Sequence, residues 1–251
     1  TTAYSTPLVI AEEKTPTQRV RLTASWGPNL QAAWQDVPIP PDTVAASGTD
    51  SHLTIWQPST DTLWEFWRAE RVGGVWQARW GARIDDVSRS PGVIAPVAGE
   101  YWGATATSLP AIAGTVLIDD FVSGSIGHAL ALAIPKAKAD EFVWPALRTD
   151  GEGLSSVPLA DQIPEGAHFR LPADFDLSRL AGAHPVVRML AVAARDHGII
   201  LRDKAGAVTF YAEDPVTHDG DPYGDIFGSA EIWQVAREFP WRDLQVLQPR
   251  R

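Results

Sequence analysis

Residues 50–85 read DSHLTIWQPSTDTLWEFWRAERVGGVWQARWGARID, and their alternation decides the fold class. Trp56, Trp64, Trp67, Trp76 and Trp80, out of 11 tryptophans in the chain, all lie here. Gln57-Pro58-Ser59-Thr60-Asp61 and Val72-Gly73-Gly74 are turn sequences, so the stretch reads as three strands joined by two turns. Side chains alternate faces along a strand. One set is Leu53, Ile55, Trp64, Phe66, Trp76, Ala78, Trp80, Ala82 and Ile84, a core face. The other is Asp50, His52, Thr54, Trp56, Glu65, Trp67, Gln77, Arg79 and Arg83. An open face of carboxylates, a histidine, long polar groups and two tryptophans suits a sugar chain. Sugar rings stack on aromatics and their hydroxyls take hydrogen bonds.

Outward from this sheet, the chain is rich in punctuation, with 20 Gly and 20 Pro among 251 residues. Residues 1–49 read as an irregular segment packing on the sheet, with alternating runs at 7–12 and 19–25 and a stiff Val37-Pro38-Ile39-Pro40-Pro41. Residues 86–108 form a long polar loop, the expected wall of a cleft. Strands are expected at 115–119 and 128–134. In the latter, Ile126, His128, Leu130, Leu132 and Ile134 oppose Gly127, Ala129, Ala131 and Ala133, which marks a central strand buried on two sides. Phe169-Arg170-Leu171 is a further short strand. The main helix is expected at 185–197, where Val186, Val187, Leu190, Ala193 and Ala194 recur at helical spacing between Pro185 and Gly198. Residues 199–202 and 207–211 read as a hairpin. A turn-rich 214–228, a short helix at 230–236 and a strand at 244–247 close the chain.

Many short strands and one solid helix, without regular βα alternation, predict a mostly β, single-domain β-sandwich or jelly roll of short antiparallel strands over residues 1–251. No repeat or linker divides it.

The net charge of −10, with no basic run before Pro249-Arg250-Arg251, argues against a nucleic-acid partner. No apolar run is long enough for a membrane span. Absence of cysteine removes disulfides and thiolate metal sites. The start at Thr1-Thr2-Ala3 reads as a trimmed or signal-processed form.

The runs GTDSHLTIWQPSTDTLWEFW, WGARIDDVSRSPG, WGATATSLPAIAGTVLIDD, SGSIGHALALAIP and FVWPALRTDG resemble a family of actinobacterial proteins of unassigned activity. The resemblance covers most of residues 37–247. It implies export and a single domain, and it names no substrate.

Candidate chemistry centres on Asp50, His52 and Glu65. Asp50 and His52 are two apart on one strand, ~7 Å between Cα atoms, and Glu65 lies on the neighbouring strand. Two carboxylates and an imidazole suffice for acid–base work on a glycosidic bond, with carboxyl oxygens about 5–5.5 Å apart for retention or about 6.5–9.5 Å for inversion. The plain alternative is a solvated sheet face. Trp56 and Trp67 are candidate stacking platforms, or are buried under a loop. Gln77 and Arg79 are candidate binders of hydroxyls or a carboxylate. His128 is a candidate base, against the plainer reading of a core histidine. Asp119 and Asp120, on opposite faces of a strand end, are better read as turn carboxylates. Asp50, His52 and His128 have metal-ligand types but no ligand motif, and Asp219-Gly220-Asp221 offers calcium-type oxygens but reads more plainly as an Asp-Gly turn. No metal or cofactor is therefore expected. No Walker loop, GxSxG elbow, HExxH or GxGxxG occurs. The expected function is an extracellular polysaccharide-active enzyme, a glycoside hydrolase or polysaccharide lyase taking a polysaccharide or oligosaccharide. The alternatives are a lectin-like module or an assembly protein that buries the same face against a partner chain.

Overall fold

The computed structural model describes residues 4–247. The N-terminal Thr1-Thr2-Ala3 and the C-terminal Pro249-Arg250-Arg251 lie outside the described residues. The described residues are β-rich, with four sheets, and their contacts divide them into two compact units. Of the described residues, the first holds those up to 113 and 213–217, and the second holds 114–212 and those from 218 on. The sequence shows no linker at residue 113, and the expected single domain had no such division.

The first unit contains β1 (Leu8–Ile10), β2 (Thr17–Gln18), β3 (Arg21–Leu22), α1 (Pro28–Ala33), β4 (Val37–Pro38), β5 (Leu53–Gln57), β6 (Thr62–Trp67), β7 (Glu70–Val72), β8 (Val75–Ala78) and β9 (Trp80–Ile84). They make a four-stranded sheet β1-β5-β6-β9, a three-stranded sheet β3-β8-β7 and the pair β2-β4. One core serves all three sheets, with Val9, Ile55, Trp64 and Phe66 from the first, Val20 and Trp76 beside the second, and Val37 from the third. Trp34 follows α1 and packs on Phe66 at 4.8 Å between ring centroids.

The hairpin across Gly73-Gly74 is bent into two sheets. Both glycines have positive φ, 58° and 86°, as a two-residue turn with left-handed twist angles demands. That turn places Val72 opposite Val75 and Glu70 opposite Gln77. The same register continues past Arg68, itself at φ 55°, to put Trp67 opposite Trp80 and Glu65 opposite Ala82. Directly opposed residues share a face. Trp80 and Ala82 therefore share a face with Trp67 and Glu65 rather than with Trp64 and Phe66, while both are buried in the core as expected. A two-residue turn pairs even positions with odd ones, so numerical parity does not carry across it.

The second unit contains α2 (Ile118–Ser123), β10 (Leu130–Ile134), β11 (His168–Arg170), α3 (Pro185–Asp196), β12 (Ile199–Lys204), β13 (Thr209–Phe210), α4 (Pro222–Phe227), α5 (Ile232–Arg237) and β14 (Gln245–Leu247). Its sheet has the order β13-β10-β12-β11-β14. Leu130, Ala131, Leu132 and Ala133 of β10 are buried on both faces. Helix α3 packs on the sheet through Val186, Val187, Leu190 and Ala194 against Leu130, Leu132, Ile199 and Leu201. The His184 side chain accepts from Val186 N–H at the helix start, and Gly198 follows its end at φ 88°.

Three expectations change here. Strand pairs β1–β5, β3–β8 and β10–β12 are parallel, so the sheets are mixed rather than all antiparallel. Residues 199–202 and 207–211 form no hairpin, because β10 lies between β12 and β13 and pairs with both. Residues 115–119 form no strand. Leu117 instead starts α2, where the Asp120 carboxylate accepts its N–H at 2.8 Å. Alternation over five residues cannot distinguish a strand from a chain entering a helix whose cap is a side chain three residues on.

Candidate functional site

Glu65 is the residue on which the expected catalytic face depends, and it is covered. It is 0 % exposed. Its Oε1 accepts the N–H of Ala104 at 2.7 Å and its Oε2 the N–H of Ala111 at 2.6 Å. Thr54, opposite it on β5, is equally buried. Residues 100–111 thus lie across the centre of the sheet. This corrects the expected cleft wall at 86–108, whose last part is a cover. Glu100 anchors that cover at the start of α1, taking the N–H groups of Asn29 and Leu30, each at 3.0 Å, and Trp102 Nε1 at 3.0 Å. Burial raises the pKa of Glu100, and these donors, Trp102 first, outweigh it and hold the carboxyl below its usual range.

The ends of the same face stay half open. Asp50 accepts Trp67 Nε1–H at 2.9 Å, and the Arg68 guanidinium lies 4.6 Å from the Trp67 ring. His52 and Trp56 are half-buried on β5 and its approach. The structure therefore joins Asp50 to Trp67 and withholds Glu65 from any ligand. Gln77 is buried and committed at both ends of its amide, donating to Glu70 Oε1 at 2.6 Å and accepting from Arg21. It ties three strands together, which corrects its expected role in binding hydroxyls.

Arg79 is half-buried, and its guanidinium stands 5.7 Å from the ring of Trp26. Trp26 is 55 % exposed, and its ring leans on Trp80 at 5.6 Å. Trp80 in turn is held by Nε1–H donation to the Tyr101 carbonyl at 3.1 Å. Trp26 is absent from the sequence-derived candidates. The available signal was its place in Ser25-Trp26-Gly27-Pro28, an aromatic residue on a turn that leads into a helix.

His128 belongs to the second unit and precedes β10 rather than lying on it. Its Nε2 is 3.2 Å from Asp120 Oδ2 and its Nδ1 2.9 Å from the Ala129 carbonyl. Both ring nitrogens are engaged by acceptors of the chain itself, a structural arrangement rather than an aimed base. Asp120 serves as the turn carboxylate expected, now in a helix cap. Asp221 likewise caps α4, accepting Gly224 N–H at 3.0 Å.

Among the described residues, one trio has metal-ligand spacing: Asp150, Glu165 and Asp203, whose carboxylate oxygens lie within 4.8 Å of one another. Neither Asp50 nor the histidines weighed as ligands belong to it. Burial above all, opposed by a hydrogen bond from the Thr149 side chain and reinforced by the charges of Asp150 and Asp203, pushes the Glu165 carboxyl up to about 7. The sequence offers no local motif for this trio, since its members are spread over two loops and a strand.

Comparison with known proteins returns no match to this chain among family models, curated proteins or solved structures.

Proposed function

We propose that the protein is a non-catalytic, extracellular carbohydrate-binding module, in which an oligosaccharide or polysaccharide stacks on Trp26 beside Arg79. The observation that carries this reading is a largely exposed tryptophan braced from behind by Trp80, with a guanidinium beside it. An exposed ring costs hydrophobic free energy in water, and a sugar's C–H face recovers it. Trp67 with Asp50, and the half-open Trp56, offer a second aromatic edge in the same unit. The sandwich reading is kept for the first unit alone, on the strength of one core shared by its sheets.

A hydrolase or lyase on this face is the weaker alternative. Glycosidic hydrolysis uses two carboxyl groups that both reach the scissile bond. Both oxygens of Glu65 are spent on backbone N–H groups under the 100–111 cover. Asp50 alone keeps a half-open position.

The test is binding of neutral and uronate-containing oligosaccharides by the full chain, measured by calorimetry, alongside Trp26→Ala. Loss of one stacking platform is expected to weaken binding by about tenfold or more, on the order of 1–2 kcal/mol, with an unchanged melting temperature. Absence of binding across a broad glycan panel overturns the reading, as does full affinity in Trp26→Ala. Release of reducing ends or unsaturated uronates restores the enzyme reading.

A further inference from the structure

Asp150 and Glu165 sit on the connection that leaves β10, and Asp203 lies near the end of β12, the strand parallel to β10. In open sheets, the carboxyl ends of parallel strands are where ligand-bearing loops gather. The β10–β12 ladder slips at this point. Leu132 pairs with Leu201 and Ala133 with Asp203, so Arg202 is the extra residue of a bulge. A bulge re-aims the side chains beside it.

The two loops are held closely against their neighbours. Each loop carboxylate is followed by a glycine in tight backbone contact. A Cβ at Gly151 would stand 2.0 Å from the Lys138 carbonyl oxygen, and one at Gly166 would stand 1.8 Å from that of Val143. Only glycine permits those approaches. The loops are thus fixed with Asp150 and Glu165 facing Asp203 within the same 4.8 Å limit.

Within the trio, Glu165 carries the decisive detail. It is 0 % exposed. Its Oε2 accepts the N–H of Asp150 at 3.1 Å. Its Oε1 is buried without a hydrogen-bond partner. An unpaired buried carboxylate oxygen beside two further carboxylates is costly unless a cation meets it. Lys204 supplies part of the balance, with Nζ 3.4 Å from Asp150 Oδ2, but that ammonium is shared with Glu152 at 3.1 Å.

We propose that Asp150, Glu165 and Asp203 bind one calcium ion, with the unpartnered oxygen of Glu165 as its buried ligand. An all-oxygen, all-carboxylate set selects a hard cation over zinc or copper. Calcium–oxygen bonds of about 2.3–2.6 Å place ligands on opposite sides of the ion roughly 5 Å apart, which matches the spacing of the trio. The remaining coordination is left to water, as the exposed position of Asp150 allows. The site is in the second unit and does not depend on the carbohydrate reading.

The test uses the full chain, freed of metal by chelation and dialysis, at a pH of about 8, where Glu165 is ionised. Calcium chloride is titrated by calorimetry, and melting is followed in parallel. The expected result is one saturable site, of millimolar affinity or tighter, and a raised melting temperature. Asp203→Asn and the exposed Asp150→Asn are expected to weaken binding by about tenfold or more. Glu152→Gln, which removes a neighbouring charge outside the trio, is expected to leave it within about twofold. No heat and no melting shift with calcium overturns the site. So does a loss in Glu152→Gln equal to that in Asp150→Asn, since diffuse surface charge would then account for the binding.

Discussion

Glu65 and Glu165 are the same side chain at the same 0 % exposure, one in each unit, and their surroundings put the charge to opposite uses. At Glu65, two backbone N–H groups from the covering segment meet the two oxygens at 2.7 and 2.6 Å. At Glu165, one oxygen is met by a backbone N–H, the Thr149 hydroxyl also donates to the carboxylate, and Oε1 is buried without a hydrogen-bond partner, with Asp150 and Asp203 close by. The first carboxylate is a finished fastening between sheet and cover. The second awaits a cation or a proton. Burial of an acid is therefore a poor sign of function by itself, and the tally of donors around its oxygens is a better one.

The contrast breaks most readily at Glu65. Replacing it with alanine strips both N–H groups of their acceptors and opens a cavity, so Glu65→Ala is expected to cost about 4 kcal/mol in chemical denaturation. A cost below about 1 kcal/mol would mean the fastening is unimportant and the cover is loosely held.

Next in size is the pH response of Glu165. Its folded pKa, at about 7, lies above the ordinary 4.5. The folded state then holds this proton over a range where the unfolded chain has released it. Stability from this group is complete below about 4.5, falls as pH rises, and is fully lost above about 7. In cation-free protein the fall is expected to be about 2–3 kcal/mol. Glu165→Gln should flatten that slope and leave the protein at high pH no less stable than the parent. An equally steep fall in the variant would assign the response to another group.

The smallest effect sharpens the comparison from the half-open end of the first sheet. Asp50→Asn keeps an acceptor for Trp67 Nε1 and is expected to change the unfolding free energy by less than about 1 kcal/mol. A loss approaching that of Glu65→Ala would show Asp50 to be a second fastening rather than a solvated group.

How much of this was legible varies by element. Helix α3 was readable from its apolar spacing, Pro185 and Gly198 because all three signals act within a few residues. The core face of β5 and β6 was readable too, and Leu53, Ile55, Trp64 and Phe66 are all buried. The phase of β9 was also within reach, because Gly73-Gly74 dictates a two-residue turn and the turn dictates the register. The mixed pairing was not, since β1 meets β5 and β10 meets β12 across long intervening segments. Of the candidate site, Trp67 donates to Asp50, and Arg79 meets an aromatic ring absent from the expectation.

The sequence alone determined which residues alternate, where the long helix starts and stops, and that the chain is β-rich. Those properties follow from local spacing, from glycine and proline backbone limits, and from caps. Only the tertiary structure decided that residues 100–111 close over Glu65 and that Asp150, Glu165 and Asp203 converge. Both outcomes depend on backbone N–H groups and carboxylates far apart in the chain. The free energy of a buried charge is set by whatever surrounds it in space, and no window of neighbouring residues contains that information.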